Sequence, residues 1–245
     1  MSIAVGIARI GNRILSLIAA VMVLLMFLYG GYSLWDSYMI NRGAFLTSDL
    51  LKYKPAGVNP EENLSLEDLL AINSDTRAWL TIEDTHIDYP VVQGDTDMEY
   101  INTDVFGEFA LSGSIFLSCL NSPDFSDPYN LVYGHHMDNG GMFGDVVEFT
   151  DAEYFSARQT GELYLPHKTY DVTLFACIEA DAYDRLVYSP GADCDMQGLL
   201  DYLENNSAQY RDIGISSDDQ IIGLSTCMDV ETNGRVILFG RLKEK

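Results

Sequence analysis

Three side chains of complementary chemistry stand at the ends of apolar runs in this sequence. Leu224-Ser-Thr-Cys227 closes one run with a thiol, Arg235-Val-Ile-Leu-Phe-Gly opens the next with a guanidinium, and Leu131-Val-Tyr-Gly-His135-His136-Met137 closes a third with an imidazole. A free thiol has a pKa near about 8.5 and is a modest nucleophile at neutral pH; a neighbouring histidine takes its proton or holds it as a thiolate ion pair. Attack on an amide then builds an oxyanion that needs fixed donors. Arginine's planar, permanently charged fork can hold such an oxygen bidentately. Cys227, His135 and Arg235 thus supply a nucleophile, a general acid/base and an electrophilic clamp, the parts of acyl transfer through a thioester. Singly, a cysteine is more often core, a histidine a turn cap and an arginine a surface charge. Their joint occurrence at three strand ends is what points to chemistry.

Those groups need strands that end together. From Arg77 onward the chain breaks into short runs rich in β-branched and aromatic residues, at 78–82, 86–92, 113–117, 130–133, 162–165, 169–178, 220–226 and 235–240. Eight strands at this spacing predict a mainly β domain with peripheral helices, closed into an eight-stranded β-barrel rather than an open sheet. Helical patterns interrupt it near 142–146, 151–156 and 195–205. A short amphipathic helix at 64–73, with Ser65 or Asn63 as N-cap, precedes it. The longest connection runs between 178 and 220 and is the expected place to grip a substrate beside the cysteine strand.

Ahead of the barrel, residues 14–34 form 21 positions without a charge, close to the ~20 that a helix needs to cross a bilayer core. Arg9 and Arg13 flank the N-terminal side, and Trp35 and Tyr38 lie just beyond the other end. The positive-inside rule places residues 1–13 in the cytoplasm and the chain from about residue 40 outside. The run exceeds a usual signal-peptide core and no small-x-small cleavage site follows, so an uncleaved signal anchor is expected. Residues 35–56 read as a helical stalk ending near Gly57, and 35–64 as an extracellular stalk and helix.

The charge is uneven. Residues 1–42 hold Arg9, Arg13 and Arg42 against Asp36; taken from the chain's 14 basic and 37 acidic residues, they leave 11 and 36 for the remainder, a balance of −25. Such a domain repels phosphate backbones, so no nucleic-acid partner is expected. Four cysteines facing an oxidising exterior allow two disulfides in three pairings, although Cys177 reads as a buried strand residue and Cys119 and Cys194 stay open. Asp124, Asp127, Asp138 and Asp145 offer oxygen ligands without the regular spacing of a calcium loop, and neither a metal nor another cofactor is expected.

The motifs extend beyond the three chemical groups. Gly223-Leu-Ser-Thr-Cys227 matches the Thr-Leu-x-Thr-Cys strand end of sortases, with Gly for the first Thr, and Arg235 matches the arginine that opens their following strand. Tyr133-Gly-His135-His136-Met137 with Met142-Phe143 matches the Tyr-Gly-His-x-Met and Met-Phe elements of class B members. The segments starting at Tyr100, Gly113 and Asn121 are similar to the same class. Over about residues 65–245 the chain resembles a class B sortase, a cysteine transpeptidase that fixes proteins to the Gram-positive cell wall. Met228, where some relatives have an acid, and Cys119, at an often acidic loop position, depart from the pattern.

The resemblance implies a sortase-type barrel at 65–245. Cys227 would attack the Thr carbonyl of a C-terminal sorting signal of the Leu-Pro-x-Thr-Gly or Asn-Pro-x-Thr-x type. His135, directly after the glycine, would serve as acid/base, leaving His136 in the variable position, and Arg235 would clamp the oxyanion. Ser225, Thr226 and Tyr133 would line the substrate groove. The acceptor would be an amine of a peptidoglycan precursor or a pilin. His86 and His167 fall outside the motifs and read as structural or solvated. A papain-like cell-wall hydrolase shares the Cys/His chemistry but places Cys before His, whereas His135 here precedes Cys227 by 92 residues. A non-enzymatic acidic adhesion domain explains anchor and charge but leaves the three strand ends a coincidence.

Overall fold

The computed structural model describes residues 2–41, 45, 48–55, 65–227 and 234–245, with Ser2, Ala4, Ile40, Asn41, Ser48 and Cys227 through their backbone alone. They divide into two compact units, Met1–Asn41 and Arg42–Lys245. In the first, α1 (Ser2–Asn41) is one helix, and Val5–Met39 within it, which contains a stretch of mean hydropathy 2.4, is long and apolar enough to cross a membrane. Its large apolar side chains are exposed all round, the pattern of a helix able to sit in lipid.

Strands dominate the second unit: β1 (Thr76–Ile82), β2 (Asp88–Val92), β3 (Ile115–Leu117), β4 (Tyr129–Tyr133), β5 (Thr160–Tyr164), β6 (Thr169–Asp181), β7 (Gln209–Tyr210), β8 (Gln220–Cys227) and β9 (Gly234–Glu244). They pair in the order β5-β1-β2-β3-β4-β8-β9-β6, and β6 returns to β5, closing a ring of eight. All eight expected strands are in that ring. The long β6 takes β9 along one edge and, on its other edge, β5 followed by the two-residue β7. β7 is too short to carry an alternation signal and is not foreseen by the pattern. Pairing is antiparallel except for β2–β3 and β4–β8.

Burial explains the sequence pattern. Val132, Ile222, Leu224, Val236 and Leu238 point into the barrel beside Leu80, Val91 and Leu163, and Val146 and Phe149 join the same core. The intervening Leu131, Ile221, Ile237 and Phe239 pack instead with Leu199, Leu200 and Leu203 of α5 (Met196–Asn206). Strands covered on both faces read as unbroken apolar runs, as β4, β8 and β9 do. A third cluster joins Trp79, Val92 and Phe116 to Leu66 and Leu69 of α3 (Leu66–Ile72).

Caps fix the helix starts. Ser65 and Asp68 form a reciprocal capping box at α3, Asp195 accepts from Gly198 N–H at α5, and Asp151 accepts from Glu153 and Tyr154 N–H at α4 (Ala152–Ala157). The alternative cap Asn63, the stalk end near Gly57 and Met228 lie outside the described residues. The helix expected at 142–146 is a 3-10 helix displaced to Gly144–Thr150, because Gly140 and Met142 hold positive φ values of 81° and 54° and keep the chain in a turn until then. Residues 48–55, which include the short helix α2 (Ser48–Leu51), pack on the barrel. Tyr53 meets Phe106 edge-on, and Lys54 binds Asp88 at 2.6 Å, whose other oxygen accepts from Trp79 Nε1 and Thr81.

Candidate active site

Parallel pairing of β4 with β8 brings their C-terminal ends together, with Tyr133 opposite Ser225. Antiparallel β9 begins where β8 stops, so Cys227 stands in register with Arg235. Two residues past Tyr133 comes His135, and Gly134 N–H donates to the Ser225 carbonyl at 3.1 Å, extending the β4–β8 ladder up to the histidine. The sheet thus gathers Tyr133, His135, Ser225, Thr226, the Cys227 backbone and Arg235 at one end of the barrel.

The Tyr-Gly-His and Met-Phe motifs have a steric reason. A Cβ on Gly134 would lie 2.7 Å from the Phe143 ring, closer than real contacts allow. Phe143 N–H in turn donates to the His135 carbonyl at 3.0 Å, and His136 bridges to Met142. The Met-Phe pair therefore clasps the histidine turn from below.

The two histidines part as strand alternation requires. His135 lines a cavity of about 340 Å³ with Met98, Ile101, Phe116, Tyr133, Tyr188 and Arg235, among others. His136 lines a separate polar hollow, and its Nε2 lies 3.4 Å from Asp138. His135 Nε2 is 2.8 Å from the Ile101 carbonyl. A carbonyl can only accept, so Nε2 carries a proton, and Nδ1 is the nitrogen left to exchange one.

Tyr188, from the long β6–α5 connection, shares a hydrogen bond of 3.0 Å with Ser225 Oγ and stacks on Tyr133 at 6.4 Å, 8° from parallel. The Tyr133 phenol is pushed up, chiefly by burial and then by the Asp97 and Tyr188 charges, so it stays a neutral hydroxyl. Ser225 and Thr226 are each only 2% exposed, and Thr226 Oγ1 has no hydrogen-bond partner among the described residues. A buried hydroxyl without a partner beside a cavity of this size suits a ligand that brings one.

Sequence reasoning missed Tyr188, Asp97 and Ile101. Tyr188 lies in the connection that length had marked for gripping a substrate. Asp97 and Ile101 lie in the β2–β3 crossover, at or just ahead of a quoted motif, and only the fold carries them to His135.

The remaining candidates fall elsewhere. Cys119, Cys177 and Cys194 are free thiols, and burial pushes Cys177 up to about 12. His86 binds Asp145 at 3.0 Å and His167 is largely exposed. Asp127 is buried and accepts from Asn121 Nδ2 and Ser122 N–H, and Asp124 accepts from Ser126 N–H.

No family model matches the chain. Sortase B of Listeria monocytogenes is 34% identical over 193 residues, which cover 77% of this chain and 78% of that protein. A Streptococcus pyogenes class B sortase involved in pilus biogenesis superposes with a TM-score of 0.67 at 39% identity, covering 74% of this chain and 98% of that one. Staphylococcus aureus sortase B, solved as a substrate complex, superposes with a TM-score of 0.67 at 26% identity over 73% of this chain and 84% of that one. A sortase B has also been solved with triglycine. With the eight-stranded ring and the motifs at its open end, these matches establish that the chain belongs to the sortase family, in its class B.

Proposed function

We propose that this sortase is anchored by residues 14–34, with residues 1–13 cytoplasmic, 35–64 an extracellular stalk and helix, and 65–245 the catalytic domain. It cleaves a C-terminal sorting signal of the Leu-Pro-x-Thr-Gly or Asn-Pro-x-Thr-x type after Thr. The acyl group passes through a Cys227 thioester to an amine of peptidoglycan or of a pilin. The observation that carries the reading is the β4–β8–β9 register, which sets Cys227 opposite Arg235 and His135 beside Ser225. The sortase B complexes with substrate and with triglycine support a peptide donor and an amine acceptor.

In this mechanism the Cys227 thiolate attacks the Thr carbonyl carbon, and the Arg235 guanidinium holds the developing oxyanion. The C–N bond breaks as His135 gives a proton from Nδ1 to the leaving amine. The imidazole, held at Nε2 by the Ile101 carbonyl, then takes a proton at Nδ1 from the incoming amine as it displaces the sulfur. Tyr133, Tyr188, Ser225 and Thr226 line the path of the signal peptide. Required chemistry is complete without a metal or cofactor.

The test uses the full chain in detergent micelles with quenched peptides carrying varied sorting signals. Cys227→Ala, His135→Ala and Arg235→Ala should each lower cleavage by at least about 100-fold. Cleavage retained in Cys227→Ala would reject the assignment of the nucleophile.

A further inference from the structure

The second substrate of the transfer step arrives charged. An α-amine has a pKa near about 7.7–8.0 and a lysine amine near about 10.4, so at neutral pH either enters largely as ammonium. The groove is a poor host for it: Met98, Ile101, Phe116 and Ala182 offer no hydration, and Arg235 repels it. Among the described lining residues one carboxylate is present, that of Asp97.

The Asp97 carboxylate is held in place. Its Oδ1 accepts from Cys119 N–H at 2.6 Å and its Oδ2 from the Ser118 hydroxyl at 3.3 Å, both just past the end of β3. Four residues on, the carbonyl of Ile101 holds His135 Nε2. One short segment, 97–101, therefore delivers both a fixed anion and the orienting contact of the imidazole to the same cavity.

We propose that Asp97 receives the ammonium group of the acyl acceptor and so helps decide whether the acyl-enzyme is resolved by an amine or by water. The inference rests on the roles given above to Cys227 and His135. The ammonium docks on Asp97 through a charge-assisted hydrogen bond. It loses one proton to His135 Nδ1, its lone pair attacks the thioester carbonyl carbon, and the C–S bond breaks with its electrons on sulfur. Thioester and ammonium become amide, thiol and one released proton. Asp97 exchanges no proton in the step. The other titratable or charged groups around it are Cys119, Tyr133, Tyr188, His135 and Arg235.

The experiment lets triglycine and hydroxylamine, which is uncharged at neutral pH, compete for the acyl-enzyme of the full chain. Asp97→Asn is compared with the parent, since asparagine keeps the oxygen that accepts from Cys119 N–H. At pH 7 the ratio of triglycine to hydroxylamine product should fall about tenfold in Asp97→Asn. The difference should narrow above about pH 8, where triglycine loses its charge. An equal ratio in both proteins, or a difference that ignores pH, overturns the proposal. A parent protein that forms no acyl product with either nucleophile overturns the underlying mechanism and this inference with it.

Discussion

Tyr188 lines the groove, and Cys119 adjoins it through Asp97. Tyr188 holds Ser225 Oγ, and a shared neutral hydrogen bond of this kind is worth about 1 kcal/mol. Tyr188→Phe should raise the KM for a sorting peptide about fivefold while moving kcat little, as steady-state kinetics would read. An unchanged KM would remove the pair from the binding path. Cys119 is exposed, yet its thiol is pushed above the ordinary value by desolvation and then by Asp97. A raised pKa leaves less thiolate at neutral pH, so alkylation of Cys119 in Cys227→Ala should be slow at pH 7 and accelerate as the pH climbs past its ordinary range. Asp97→Asn should speed that labelling at pH 7, and mass spectrometry of the labelled peptide checks both statements.

At the scale of elements, the 97–114 crossover acts as the support of the histidine. Gly113 has a φ of 58°, and a Cβ there would collide with the carbonyl oxygens of Ile101 and Tyr100. Gly113→Ala should therefore shift the Ile101 carbonyl and with it His135. We expect a loss of about 1–3 kcal/mol in stability and a fall in kcat of about 10–100-fold at nearly constant KM. Denaturation and kinetics measured on one preparation separate the two effects; a kcat that falls only as far as the folded fraction falls would remove the positioning role. This is also where sequence reading reached its limit. β4, β8 and β9 were legible because burial on both faces leaves them as apolar runs, and the motif residues stand at their ends. The 97–101 segment, Asp-Met-Glu-Tyr-Ile, was not: it is a turn too short to carry a period, and its contact with His135 depends on the parallel β2–β3 crossover. The helix near 142 was misplaced for a similar local reason, since nothing in Met142 announces a left-handed backbone.

For the whole molecule, the proposed function assigns placement to the apolar α1 and chemistry to the acidic barrel. Arg9 and Arg13 before the uncharged run favour a cytoplasmic N-terminus. The full chain should stay in the membrane fraction through an alkaline carbonate wash. Protease added to intact cells without an outer membrane should digest the barrel domain while sparing a tag at the N-terminus; digestion of the tag instead would reverse the orientation. Beyond Arg42 the balance is −25, and a net field of that sign favours approach of a cationic acceptor and weakens as salt screens it.

Whether Cys227 carries the acyl group can be weighed directly. The full chain would be mixed with a sorting-signal peptide in the absence of an amine acceptor, quenched in acid and mapped by mass spectrometry. The expected result is a mass increase on Cys227 equal to the peptide up to and including its Thr, removable by hydroxylamine and absent in Cys227→Ala. Cleavage of the peptide with Cys227 unmodified at every quench time, or equal cleavage by Cys227→Ala, would contradict it.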